Sequence, residues 1–96
     1  MVFTRSLART IVEESSVVEM IESERVNYSR LEELFEGLKW RLARDAENGV
    51  RFASSNGVDY LLIKTPNWAI NGVPVITALY SYDDDQVVIY SIKITP

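Results

Sequence analysis

Residues 29–49 read SRLEELFEGLKWRLARDAENG and give the clearest helical pattern in the chain. Apolar residues recur there every three to four positions, which places one narrow apolar stripe along a helix. Ser29 and Glu32 match the capping box that begins many helices. Asn48-Gly49 provides the residue types that commonly end them. The pattern therefore predicts a helix over roughly residues 30–47.

The segment before this helix, residues 4–24, also has apolar residues at helical spacing along one stripe. Two features interrupt the stripe. Glu14 falls within it, and Ser15-Ser16 is a pair that favours helix caps over helix interiors. The segment therefore predicts either one helix or two short helices with a break near Ser15, and the pattern leaves both open.

The sequence changes character after residue 48, where Val, Ile, Tyr and Thr form short runs between turn residues. Asn56-Gly57 is a strong signal for a two-residue hairpin turn. The predicted strands, in chain order, are residues 50–54, 58–64, 75–82 and 86–94. Helices followed by hairpins predict an α+β fold, with N-terminal helices packed on one face of an antiparallel β-meander of three to four strands. We expect a single domain over residues 1–96, with a helical half at 1–48 and a β-meander at 49–96.

The amino-acid composition excludes several kinds of catalytic and metal-binding chemistry. The chain has 96 residues, 47% hydrophobic and 25% charged, which fits one ordinary globular domain. It contains no cysteine and no histidine, so thiolate nucleophiles, disulfides and the commonest general base and metal ligand are excluded. No glycine-rich phosphate loop is present. We therefore expect no metal site and no cofactor.

Charge and hydropathy bear on partners and location. The formal charge of −4 argues against nucleic-acid binding, because clustered cations supply most of that affinity. The sequence has no apolar run of about 18 residues, so we expect no membrane span. A cytoplasmic location is the default expectation.

Two tryptophans mark candidate partner-binding residues. Trp40 lies on the side of the predicted helix opposite the apolar stripe, and Gly37 and Arg44 share that side at i−3 and i+4. A tryptophan in this position either covers another element of the chain or contacts a partner. Trp68 and Ile70 lie in the long connection between the second and third predicted strands, where they either close the core or bind a partner.

Two parts of the sequence resemble RelE/ParE-type toxins of bacterial toxin–antitoxin modules. Residues 31–49 are similar to the second helix of that superfamily, which is rich in leucine and ends in an R-D-P-E-x-G phrase. Residues 75–94 resemble its last hairpin, which has a strand ending in tyrosine, an acidic turn and a strand of alternating valine and isoleucine. The likeness covers roughly residues 29–94. The family also begins with a strand, whereas residues 4–24 here have a helical pattern.

The resemblance implies a function. RelE-like members cleave messenger RNA in the ribosome, whereas ParE-like members act on DNA gyrase and lack the RNase residues. Both are inhibited by an antitoxin whose extended segment wraps the toxin. RelE-like enzymes usually carry an arginine three residues before the strand-end tyrosine. If Tyr80 matches that tyrosine, this chain has Thr77 at the arginine position, and Lys93 is the only cation in its last strand.

We therefore expect a toxin-fold protein that acts by protein binding, without RNase activity, and whose partner is an antitoxin-like protein. Two alternatives stay open. A ribosome-dependent endoribonuclease would use Arg51, Lys64, Tyr80 or Lys93, because phosphodiester cleavage needs donors and cations where negative charge develops. A small oligomeric interaction module with no toxin role, built around the Trp40 face or the Trp68 loop, would instead form a homodimer through a large apolar interface.

Overall fold

The computed structural model of the protein describes residues 8–66 and 73–96. The elements, in chain order, are β1 (Thr10–Glu13), α1 (Ser15–Glu24), α2 (Leu31–Arg44), a 3-10 turn (Ala46–Asn48), β2 (Val50–Ser55), β3 (Val58–Lys64), β4 (Val75–Tyr82) and β5 (Gln86–Thr95). The strands form one five-stranded sheet in the order β1-β5-β4-β3-β2. The fold is therefore α+β, as predicted. Within the described residues no helix is long and apolar enough to cross a bilayer.

The prediction of a purely antiparallel meander of three to four strands is wrong, because the sheet has five strands and is mixed. The additional strand, β1, pairs in parallel with β5, and Ile11 lies opposite Val87. The other strand pairs are antiparallel. The helical interpretation of residues 4–24 fails over β1, where Ile11 packs against the core and its neighbours Thr10 and Val12 are exposed.

The break expected near Ser15 is the junction between β1 and α1. Glu14 has an extended backbone, with φ −64° and ψ 153°. Its carbonyl accepts hydrogen bonds from the N–H groups of Val17 and Val18, which begins the helix. Its own N–H donates to the carbonyl of Ile89 in β5 at 3.1 Å. Glu14 therefore interrupts the predicted apolar stripe because it lies at the junction, directly after β1 and at the N-cap of α1.

The second helix forms as the sequence indicates, with shorter bounds than the predicted 30–47. Arg30 occupies the N-cap position, and no side-chain hydrogen bond caps the helix, so the predicted capping box does not form. Glutamates in the first turn and arginines in the last complement the helix dipole instead. Lys39, near the middle of α2, bridges Glu13 of β1 at 3.0 Å and Glu36 at 2.7 Å. The Lys39–Glu13 pair connects α2 to the edge strand of the sheet, whereas Glu36 lies on α2 itself.

The core lies between the two helices and one face of the sheet. Its buried side chains are Val17 of α1, Leu31, Phe35, Leu38 and Leu42 of α2, Ala46 of the 3-10 turn, and Leu61, Ile63, Ile76, Ala78, Tyr80, Val87, Ile89 and Ile92 of the strands. The opposite face of the sheet has no helix on it among the described residues. A β-bulge on β5 at Tyr90, opposite Leu79/Tyr80 of β4, shifts the alternation of the last strand.

Candidate partner-binding surface

Trp40 is the most exposed aromatic anchor on the helices, with 62% of its surface accessible. The guanidinium of Arg44 lies over its ring, 4.1 Å from the ring centroid. Arg44 is one helical turn further along α2, so the helix itself sets this cation–π geometry. Within residues 8–66 and 73–96, no element packs over the Trp40 ring to bury it. The sequence-predicted residues Trp40 and Arg44 are therefore brought together on an open helix face.

Gly37 lies one turn before Trp40 and is also exposed. A Cβ added at Gly37 would meet no described atom within 4 Å. Glycine inside a helix costs about 1 kcal/mol relative to alanine. Nothing packed against this position within the described residues requires a glycine. The helix therefore presents bare backbone at the centre of this face.

A groove of about 410 Å³ opens beside Gly37. Its lining comes from α2 and from the two chain ends that flank residues 67–72, namely Arg30, Glu33, Leu34, Gly37, Leu38, Arg41, Thr65, Pro66 and Val73. The buried Thr65 hydroxyl accepts a 2.9 Å hydrogen bond from the N–H of Ile76, which fixes one wall to the sheet. We call the groove together with Trp40 and Arg44 the α2 surface.

The α2 surface is positively charged in an acidic protein. Arg30 is paired with Glu33 at 3.1 Å, and this hydrogen bond and charge raise the pKa of Arg30 further. Neither Arg41 nor Arg44 has an ion pair within the described part of the chain. Sequence reasoning missed Arg41 and the groove. The signal was the position of Arg41 four residues after Gly37, on the same helix face.

Trp68 and Ile70, the other two candidate partner-binding residues, lie outside the described residues.

Tyr80, a candidate RNase residue, is fully buried beneath the helices. Its hydroxyl donates a hydrogen bond to the carbonyl of Ala46 and accepts one from the N–H of Gly49 at 3.0 Å. Burial is the main cause that raises the pKa of Tyr80 above the usual value for tyrosine. The Tyr80 hydroxyl therefore faces the core and stabilises the fold through these hydrogen bonds.

Lys64 and Lys93 lie on the other side of the sheet. Each pairs across the sheet with Thr77, one from β3 and one from β5. Thr77 alternates with the buried Ile76 and Ala78, so its row of side chains faces away from the helices. The α-carbons of the two lysines are about 10 Å apart, since each strand spacing is about 4.8 Å.

Arg51, the fourth RNase candidate, is on the edge strand β2 and is paired with Asp59 at 2.8 Å. A hydrogen bond from the Ser54 hydroxyl, and after it the hydrogen bond from Arg51, lowers the pKa of Asp59. The structure thus groups Lys64 with Lys93 and leaves Tyr80 and Arg51 apart from them.

Asp83 stabilises the acidic turn between β4 and β5. Oδ1 of Asp83 accepts hydrogen bonds from the N–H groups of Asp85 at 2.8 Å and Gln86 at 2.9 Å. These bonds lower the pKa of Asp83. The described residues contain no group of three or more acidic side chains arranged to hold a metal ion.

Comparisons with protein-family models, with curated proteins and with solved structures found no match. We therefore infer the function from the α2 surface and from the positions of the charged residues.

Proposed function

We propose that the chain is a RelE/ParE-like toxin-fold protein of a bacterial toxin–antitoxin module that acts by protein binding and lacks RNase activity. The observation that carries the proposal is the exposed Trp40 ring, held by Arg44 beside an apolar groove. Tryptophan and arginine are enriched among the residues that dominate protein interfaces. Exposed apolar grooves on small domains mark binding surfaces.

The order of the elements supports the toxin-fold part of the proposal. The resemblance implies a strand ahead of the helices, and β1 precedes α1 and α2. The hairpin of β4 and β5, with its acidic turn, is the feature on which the second half of the resemblance rests. The expected partner is an antitoxin-like protein that covers the α2 surface.

The charge distribution supports the absence of RNase activity. A cleavage site places several donors around one phosphate, and losing a single such donor typically lowers the rate about 10²–10³-fold. Here the hydroxyl of Tyr80 faces the core and is already bonded to backbone. Lys64 and Lys93 project from the opposite face of the sheet, on either side of the uncharged Thr77.

The experiment has two arms. The protein is expressed alone in a bacterial host, with and without the product of the neighbouring gene, and translating ribosomes are then assayed for messenger cleavage. We expect growth arrest that the neighbouring product relieves, with intact messenger. Cleavage that disappears in Lys64→Ala or Lys93→Ala would restore the endoribonuclease hypothesis. Growth without arrest, with or without the neighbouring product, would contradict the toxin role.

A small oligomeric module is the second candidate, and one observation favours it. The edge strand β2 is exposed along its whole length, with Val50 73% and Phe52 63% accessible. Unprotected apolar edge strands pair readily with a second strand. Sedimentation of the purified protein tests this candidate. A dimer that Phe52→Lys converts to a monomer would favour it, and a monomer at all concentrations would exclude it.

A further inference from the structure

We infer that the groove beside Gly37 binds an aliphatic side chain of an acidic partner segment, and that Arg41 pairs with a carboxylate next to that side chain. The inference rests on the proposed function only in requiring a protein partner. It adds the chemistry that the partner must present.

The first argument is the glycine. Gly37 sits inside a 14-residue helix, where alanine would be more stable by about 1 kcal/mol. No described atom comes within 4 Å of the Cβ that alanine would add, and the helical backbone does not require glycine. A glycine that no contact among residues 8–66 and 73–96 explains fits the close approach of a partner's main chain.

The second argument is the lining. Leu34, Leu38, Pro66 and Val73 make the groove apolar, and its volume of about 410 Å³ falls within the range of about 300–1,000 Å³ typical of ligand pockets. A space of this size takes one or two aliphatic side chains. Trp40 lies one turn along the same helix and extends the contact surface beyond the groove.

The third argument is charge. Arg41 lines the groove, is partly buried and has no ion-pair partner within the described residues. With Arg30 and Arg44 it gives the α2 surface three positive charges against the single negative charge of Glu33. An acidic segment is therefore attracted to this surface.

A second copy of the chain fits less well. A two-fold contact through the α2 surface would bring two copies of the same positively charged surface together. Like charges across an interface are unfavourable. A partner of different sequence, carrying Asp or Glu beside an aliphatic residue, avoids this repulsion.

The test uses a display library of random 12-residue peptides selected on the full-length protein. Affinities of the enriched peptides are then measured by fluorescence anisotropy for four proteins. These are the wild type, Gly37→Ala, Gly37→Trp and Arg41→Gln. We expect enriched peptides to share an aliphatic residue within four positions of Asp or Glu.

The Gly37 variants test whether the partner occupies the groove, and Arg41→Gln tests the contribution of charge. Gly37→Trp should weaken binding at least about tenfold because its ring fills the groove, and Gly37→Ala should weaken it less, about threefold, because its methyl group keeps the partner's main chain at a distance. Arg41→Gln should weaken binding about fivefold for the acidic peptide. It should have no effect on the same peptide with its carboxylate replaced by an amide, as expected for a paired charge.

Three outcomes would overturn the inference. One is the absence of any enriched peptide, and another is binding that Gly37→Trp leaves unchanged. The third is a large drop in the free energy of unfolding in Gly37→Trp, which would show that the chain's own residues fill the groove. Growth arrest that the neighbouring product relieves equally in wild type and Gly37→Trp would leave the toxin role intact and reject only this inference.

Discussion

The backbone N–H of Gly49 donates a 3.0 Å hydrogen bond to the hydroxyl of Tyr80, 31 residues further along the chain. The same hydroxyl donates to the carbonyl of Ala46. One buried phenol thus joins β4 to both ends of the turn that links α2 to β2. Because its hydroxyl is engaged on both sides, Tyr80 has a structural role.

Removing this hydroxyl should destabilise the fold. Tyr80→Phe leaves the buried carbonyl of Ala46 and the N–H of Gly49 without their partner, which we expect to cost about 2–3 kcal/mol. The free energy of unfolding from urea titration measures the loss. Tyr82→Phe is the matched control, because the Tyr82 ring is partly exposed and its contacts with Arg9 and Tyr80 are made through the ring, which phenylalanine keeps. A loss in Tyr80→Phe no larger than in this control would contradict the structural role.

Tyr80 should also make the fold sensitive to alkali. Burial raises its pKa in the folded protein, so its proton is lost more easily in the unfolded chain, near pH ~10. Its contribution to stability is therefore complete below about pH 10 and disappears as the pH rises through the folded-state pKa. Urea titrations between about pH 9 and 11 should show a steeper decline for wild type than for Tyr80→Phe. Equal slopes would contradict the raised pKa.

Replacing Gly49 with alanine should destabilise the fold, whereas replacing Gly37 with alanine should stabilise it. At Gly49 an added Cβ would lie 2.9 Å from both Cε1 and Cζ of Tyr80, although φ is an ordinary −71°. Gly49→Ala should therefore cost about 1–3 kcal/mol through steric overlap alone. Gly37→Ala has open space and should gain about 0.5–1 kcal/mol. Thermal unfolding of the two variants provides the comparison, and destabilisation by Gly37→Ala would place an internal contact at that position.

The two faces of the sheet should differ in their tolerance of truncation. Leu38 packs in the core with only 3% of its surface exposed, and Leu38→Ala should cost about 2–5 kcal/mol. Leu62 is on the face without helices and is only half-buried, so Leu62→Ala should cost less than half as much. Denaturant titration of both variants measures the two losses in the free energy of unfolding. A larger loss at Leu62 would mean that the uncovered face holds the main core.

This last pair shows what the sequence could predict. The apolar period of α2 identified Leu38 and Leu42 correctly because a long helix repeats its pattern over several turns. Strand positions were harder, since β3 and β5 contain consecutive apolar residues and a shift of one residue exchanges the faces. In β3 and β5 the core takes Leu61 and Val87, whereas their neighbours Leu62 and Val88 are only half-buried.

The parallel strand β1 was missed for a different reason. It has only four residues, and its pairing partner in β5 is about 76 positions away, with Thr10 opposite Gln86. No local pattern encodes a contact over that distance. Helix periodicity placed Trp40 opposite the apolar stripe but left open whether another element covers it. The groove depends on Pro66 and Val73, which only the tertiary fold brings to α2.

The central claim is that α2 carries the partner-binding surface, and Trp40 tests it most directly. The measurement is calorimetric titration of the neighbouring gene's product into wild type, Trp40→Ala and Met20→Ala, an exposed apolar control on α1. Trp40→Ala should bind about 30-fold more weakly, a loss of about 2 kcal/mol. Its free energy of unfolding should stay within about 1 kcal/mol of wild type, and Met20→Ala should bind like wild type. Unchanged affinity in Trp40→Ala, or its unfolding, would contradict the account.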